Sequence, residues 1–264
     1  MRMNHSKAMF LGLVLAGAVG LTASAQVNLS LLNFTSTWKY QENGTNLPPN
    51  PASPPAIWTT NNYNDSSWPS GQAPLGYPAN ENLLNYATMG QALSRFMPGS
   101  TTVQVTSYFF RTTFNFPSNV TSGVSLVFSN IIDDGCIVHL NGMEIYRLAM
   151  PTGAVNAATK STRANDFSEA AHGMEVTNIP PTYLRQGVNQ LAVQVHQGGD
   201  ASSDAVMSIS LNAIICSAPR ITNCPPNVLT SVGSSFILDC REVITGGCAN
   251  TYRWYKGTPG RRMR

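Results

Sequence analysis

The chain has 264 residues with 16 basic and 13 acidic side chains, a formal charge of +3. Only 11% of it is charged, and Asn, Ser, Thr, Gly and Pro supply much of its polarity. That balance argues against a strongly basic nucleic-acid binder and against long charged amphipathic helices, and it suits short strands joined by turns.

Arg2 and Lys7 precede the apolar run "AMFLGLVLAGAVGL", which ends at "TASAQ" with Ala23-Ser24-Ala25. This is the order of a secretory signal peptide. The run is too short, and wrongly flanked, for a helix that stays in a bilayer. The expectation is export, cleavage after Ala25, a secreted or cell-surface location and no stable membrane insertion. Residues 26–217 carry 7 basic and 11 acidic side chains, and residues 218–264 carry 7 and 2. The change of character predicts one domain over 26–217 and a second beginning at 218. The basic excess of the second includes the terminal "RRMR", so it reads as a basic terminus with no nucleic-acid partner.

"LLNFTSTWKYQ" (31–41) reads as a first strand, and the Pro-rich stretch from 43 to 56 as a surface loop. "NNYNDSSWPSGQAPLGYP" (61–78) is rich in turn residues. "NLLNYATMGQALSRFM" (82–97) is the one stretch compatible with a helix. In "SYFFRTTFNF" (107–116) a period of two turns Tyr108, Phe110, Phe114 and Phe116 to one face. "VSLVFSN" (124–130), "CIVHL" (136–140) and "MEIYRL" (143–148) follow as strands. Asn141-Gly142 is the preferred two-residue turn of a tight hairpin, because both positions accept positive φ. "MEVTNIPPTYL", "VNQLAVQVHQ" (188–197) and "AVMSISLNAII" (205–215) complete the series. Short strands at this spacing predict an all-β jelly-roll sandwich.

The residues that could carry chemistry are few. Asp133-Asp134 read first as a turn in which a carboxylate accepts backbone N–H groups and Gly135 takes a conformation other residues resist. Two carboxylates converging in a turn also suit an oxygen-liganded cation, so Asp133 and Asp134 are the candidates for a structural Ca²⁺. No other cofactor is expected. His139 and His196 lie on strands, and no third ligand has a metal-site spacing relative to them. Asp200, Ser202 and Asp204 alternate in "GGDASSDA", but Leu211 stands where a twelve-residue calcium loop needs a glutamate. No G-x-S-x-G, phosphate-cradling glycine loop or H-E-x-x-H is present, so a non-catalytic role is expected. For a sugar ligand the candidate contacts are Trp58, Tyr63, Tyr77, His139 and His196, with Trp58 and Tyr77 expected to be the more exposed aromatics and Trp68 a core residue.

Five cysteines stand at 136, 216, 224, 240 and 248. Cys136 reads as a buried small apolar side chain. The other four allow three disulfide connectivities, which export would permit.

"YNDSSW" with "APLGY", "YFFRTTFNF", "DDGCIVHLNGMEIYR" and "VNQLAVQVHQ" together resemble the galactose-binding-like jelly roll. That domain is the sugar-binding domain of β-galactosidase-type enzymes and an accessory carbohydrate-binding module. The resemblance covers about residues 31–213 and implies a polysaccharide or glycan partner and neighbouring domains in a longer exported protein. Beyond residue 218, Cys240 and Trp254 resemble the strand-B cysteine and strand-C tryptophan of an immunoglobulin-like domain. The expected strand-F cysteine is missing, so this domain reads as truncated. Two further functions remain open at this level: a structural or adhesive module without sugar binding, and the N-terminal piece of a secreted hydrolase.

Overall fold

The computed structural model describes residues 27–47, 57–77, 89–117, 123–164, 174–215, 220–223 and 241–243. Signal segment, late cysteines and Trp254 all lie outside these residues. The strands in chain order are β1 (Val27–Leu32), β2 (Thr37–Gln41), β3 (Ser70–Gln72), β4 (Leu75–Tyr77), β5 (Gln91–Ala92), β6 (Ser107–Phe116) and β7 (Val124–Asp133). Then come β8 (Gly135–Leu140), β9 (Met143–Leu148), β10 (Glu175–Ile179), β11 (Gly187–His196), β12 (Ala205–Ile215), β13 (Arg220–Asn223) and β14 (Arg241–Val243). Among the described residues the only helix is a single 3₁₀ turn, Pro181–Tyr183. The unit Gln26–Ser217 holds both large sheets, and β13 and β14 form an antiparallel pair in a separate unit.

Two six-stranded sheets form a β-sandwich. One runs β10-β7-β12-β4-β5, with β1 also paired to β12, and the other runs β3-β2-β6-β11-β8-β9. They meet across one apolar core. Phe110 and Tyr108 on β6 stand beside Val193 and Val195 on β11, with Trp38 and Val138 from the flanking strands. Leu126 and Phe128 on β7, paired with Ala213 and Leu211 on β12, answer them from the opposite sheet. This is the alternation expected of strands with one face on a core.

The sequence expectations hold for β6 and β12 to the residue. β7 runs three residues past its expected end at Asn130, because β12 pairs with it over its whole length, from Val206↔Asp133 to Ile215↔Val124. The single strand expected over 31–41 is two. Asn33 Oδ1 accepts the N–H and hydroxyl of Thr35 at 3.0 and 2.9 Å, and the turn passes the chain from one sheet to the other. The helix suggested over 82–97 is absent where the chain is described: Gln91–Ala92 pair parallel with β4, and Phe96 bridges Gln104. Backbone pairing with the sheet outweighs a weak local helical preference.

The β8–β9 hairpin turns at Asn141 (φ 52°) and Gly142 (φ 91°) as expected. Asn141 does more than accept positive φ. Its Nδ2 donates to Asn189 Oδ1 and the Tyr183 carbonyl, both at 2.8 Å, and its Oδ1 accepts the Gln190 N–H at 2.9 Å. A Cβ on Gly142 would lie 2.9 Å from the Thr60 methyl, whereas one on Gly153 (φ 87°) would meet nothing within 4 Å. Gly142→Ala should therefore cost about 2–3 kcal/mol, backbone strain plus clash, and Gly153→Ala only about 1 kcal/mol. Urea unfolding of the two variants checks the order.

Candidate functional site

The core-facing residues of β2, β6, β11 and β8 leave their alternate residues on the outer face of that sheet. One row across it runs Lys39, Arg111, Ala192, His139 and Glu144, each the register partner of the next. This face is open to water at its edges, where Lys39 and Glu144 stand, and covered at its centre. Phe109 and Arg111 are as buried as the core side of β6, because the segment from Ile57 to Trp68 lies over them.

Arg111 holds that cover in place. Its side chain is 2% exposed. Nε donates to Asp65 Oδ2 at 2.7 Å, Nη1 to the Trp58 carbonyl, and Nη2 to the Thr60 carbonyl at 3.2 Å and Gln190 Oε1 at 2.9 Å. The guanidinium also lies 5.2 Å from the centre of the Tyr63 ring. Lys39 Nζ reaches Asp65 Oδ1 at 2.7 Å and its carbonyl at 2.8 Å. Burial alone would push the Asp65 acid up, but hydrogen bonds from Lys39 and Arg111 outweigh it and hold the group below its ordinary value.

Beside this cluster a cleft of about 340 Å³ opens, walled by Lys39, Asp65 and Arg111, with Thr37, Thr113 and Gln190 among its polar lining. Hydroxyls, an amide and one charged cluster make a surface of hydrogen-bonding groups in fixed positions. Among the described residues Asp65 is the one carboxylate lining the cleft, and it is doubly paired with cations.

No protein-family model matches the chain, and no curated protein matches it in sequence. Among solved structures it is similar to a glycosyl hydrolase family 2 member from Bacteroides cellulosilyticus, at 14% identity and a TM-score of 0.43, over 71% of this chain and 20% of that one. It is similar also to a β-glycosidase from Bacteroides vulgatus (18%, TM-score 0.37, 70% and 20%). A third is a β-glucuronidase of Bifidobacterium dentium, in complex with coumarin-3-O-glucuronide (15%, TM-score 0.37, 66% and 21%). The chain spans about a fifth of the length of these proteins.

The residues singled out from sequence divide into two groups. Trp58, Tyr63 and His139 gather near Arg111. Trp58 packs edge-on against Phe109 and His139, with ring centres 5.1 and 5.9 Å apart, and Tyr63 packs edge-on against Trp68 at 6.0 Å. Trp58 keeps partial exposure, while Tyr63 is buried with Trp68. The small Ala192, between Arg111 and His139 in the same row, leaves room for the indole. Burial pulls His139 down to about 4, so it is neutral at pH 7.

Tyr77, His196, Asp133 and Asp134 gather elsewhere, at the end of the sandwich where β4, β7, β8 and β11 terminate. Tyr77 is 5% exposed, against the expectation of an open loop aromatic. It ends a strand, and its hydroxyl accepts from Gln197 Nε2 at 2.6 Å. His196 is buried, its Nδ1 lies 2.7 Å from the Thr159 carbonyl, and burial pulls it down to about 4. Asp133 and Asp134 do not form an open turn; both are interior. Asp134 Oδ2 accepts the Gly198 N–H at 2.6 Å, a backbone partner on a different turn. Gly135 is required for closeness rather than for φ: a Cβ there would meet Ser161 Oγ at 2.6 Å and two carbonyls at 3.0 Å. Among the described residues no group of three or more His, Cys, Asp or Glu is arranged to hold a metal ion.

Sequence reasoning missed Lys39, Asp65, Arg111 and Gln190. The available signal was Arg111 itself, the cationic position of an otherwise apolar strand stretch, which demands a carboxylate when covered. Arg111→Met should cost about 3–5 kcal/mol, since it strands Asp65 and two loop carbonyls. Hydrogen exchange should show the amides of Tyr63 and Trp68 opening while those of β7 and β12 keep their protection.

Proposed function

We propose that residues 26–217 are a non-catalytic carbohydrate-binding module, galactose-binding-like in type, that takes its ligand in the cleft beside Lys39, Asp65 and Arg111. The cleft's composition carries this reading. Sugar hydroxyls need donors and acceptors held rigidly, and the exposed Thr37 and Thr113 and the rim of Lys39 provide them on strands rather than on loops. Trp58 supplies a partly exposed aromatic edge nearby. The motifs that resemble the galactose-binding-like jelly roll support the same assignment. Glycoside cleavage requires two carboxyl groups, one of them able to give a proton. Among the described residues the cleft offers Asp65 alone, held in its charged form by two cations, which supports binding without hydrolysis.

The same proposal makes residues 1–25 a signal removed after Ala25 and places the module in a larger secreted or surface protein, followed by an immunoglobulin-like domain. Among the described residues no helix is long and apolar enough to cross a membrane. Expression in a secreting bacterial host should release a chain whose first residue, by mass spectrometry, is Gln26. An intact Met1 on the exported chain would contradict cleavage.

The binding proposal is tested by presenting the full chain to a panel of plant, algal and bacterial polysaccharides, with calorimetry on any that bind. Lys39→Ala should weaken binding roughly tenfold or more and Thr113→Ala several-fold, as loss of a charged and a neutral hydrogen bond predicts. Tyr77→Phe, far along the sandwich, should leave binding unchanged. No binding to any member of the panel would turn the assignment to a structural or adhesive module.

A further inference from the structure

The end of the sandwich opposite in character to the cleft holds three carboxyl groups with almost no exposure: Asp133, Asp134 and Asp204. Asp133 is the anomaly. Both its oxygens are enclosed, and among the described residues neither has a hydrogen-bond donor from another group. What lies within hydrogen-bonding reach is the carboxyl of Asp134 on one side and that of Asp204 on the other. Oxygens that face only carboxyl oxygens can be satisfied from within the cluster in one way, by a proton carried on one of them.

The neighbours are already committed. Asp134 Oδ2 accepts the Gly198 N–H, and the Asp134 carbonyl accepts Arg163 Nε at 2.8 Å. Asp204 Oδ1 accepts the Ser203 hydroxyl at 3.0 Å, and its carbonyl accepts Gln197 Nε2 at 2.9 Å. Tyr77 on β4, Tyr108 and Arg95 are the other ionisable groups whose charges act at this cluster, and His196 on β11 is the register partner of Gly135. The three carboxyl groups therefore join the β7–β8 junction to the turn between β11 and β12, beside the backbone bonds of Gln197 with Thr106 and Ser161.

We propose that Asp133, Asp134 and Asp204 form a proton-sharing latch that ties the β11–β12 turn to the β7–β8 junction and loosens when base removes the shared proton. Burial first, then the two neighbouring carboxyl groups, push the Asp133 acid up to about 11. The folded chain thus keeps a proton that the unfolded chain has lost above about pH 4, so this group's contribution to stability falls as pH rises. His139 and His196 act in the opposite direction, but only between about 4 and their unfolded value near 6.5. The tyrosines Tyr40, Tyr63, Tyr77, Tyr108 and Tyr146 are pushed up from 10.0, so their effects begin higher. Cys136 is pushed up from 9.0 and adds a smaller loss towards pH 8.5, one that wild type and an Asp133 variant share. The difference between the two proteins from pH 7 to 8.5 therefore reports the latch.

The test is urea unfolding of the full chain across that window, wild type against Asp133→Asn. The wild-type folding constant should fall about tenfold per pH unit, the slope of one retained proton. Asp133→Asn, whose amide donates to the same two carboxylates at any pH, should show a far shallower profile and exceed the wild type at pH 8.5. Equal slopes for the two proteins would overturn the proposal. So would a wild type stabilised by Ca²⁺ and weakened by chelator with both effects lost in Asp133→Asn, since a cation would then stand where the proton is placed. If the variant does not fold, carbon-detected NMR of the wild-type Asp133 side chain decides: a carboxyl signal that keeps the chemical shift of the protonated acid from pH 3 to 8.5 supports the latch, and one that moves to the carboxylate shift near pH 4 refutes it.

Discussion

A guanidinium without solvent must find acceptors for its N–H groups, and the structure of this domain outside its core follows from how Arg111 does so. Four acceptors converge on it from two places: a carboxylate and two carbonyls from the segment between Ile57 and Trp68, and an amide from β11. Replacing water around a buried cation requires geometry of this quality. Lys160 and Asp200 also form an ion pair, but the Asp200 side chain is 85% exposed and such a contact contributes about 1 kcal/mol at most. Because the Arg111 cluster pulls the segment down, Phe109 gains a cover, Trp58 gains a seat, and the uncovered part of the same face becomes the cleft.

The domain meets the problem of interior charge in two contrasting ways. Near the cleft, opposite charges neutralise one another: Lys39 and Arg111 share Asp65, and the carboxylate stays ionised. At the far end, like groups meet, and among the described residues no cation bonds to Asp133. The first arrangement stiffens a surface that can be used for recognition, since its polar groups are held before any ligand arrives. The second places ionisation under the control of the protein interior. β11 connects them, with Gln190 at one end of its run and His196 at the other.

Much of the sandwich was legible because its signals are local. The alternation in 107–116, the apolar run in 205–215 and Asn141-Gly142 each state their own structure within a few residues. What escaped reading depends on partners distant in the chain. Arg111 and Asp65 are 46 residues apart, and nothing in either segment alone says that the outer face of β6 is covered. Tyr77 sits in a stretch dense with turn residues, so its three-residue strand was invisible until β12 was seen beside it. The Asp133-Asp134 pair looked like an open acidic turn because Asp204, which encloses it, lies 70 residues later. Among the candidate sugar contacts, His139 faced outward as its alternation with Val138 and Leu140 implied, yet the aromatic neighbour that shields it came from a loop.

The glycines at the turns also mark where this scaffold accepts foreign chain. At Gly142 the hairpin tip is held against Thr60, so a peptide spliced there would have to lift the loop that Arg111 secures. At Gly99 and Gly153 the backbone takes the same left-handed turn with nothing but solvent around it. Those two tips are the natural points for circular permutation, for a fused reporter or for an immobilisation tag, because new termini there disturb neither the core nor the cleft.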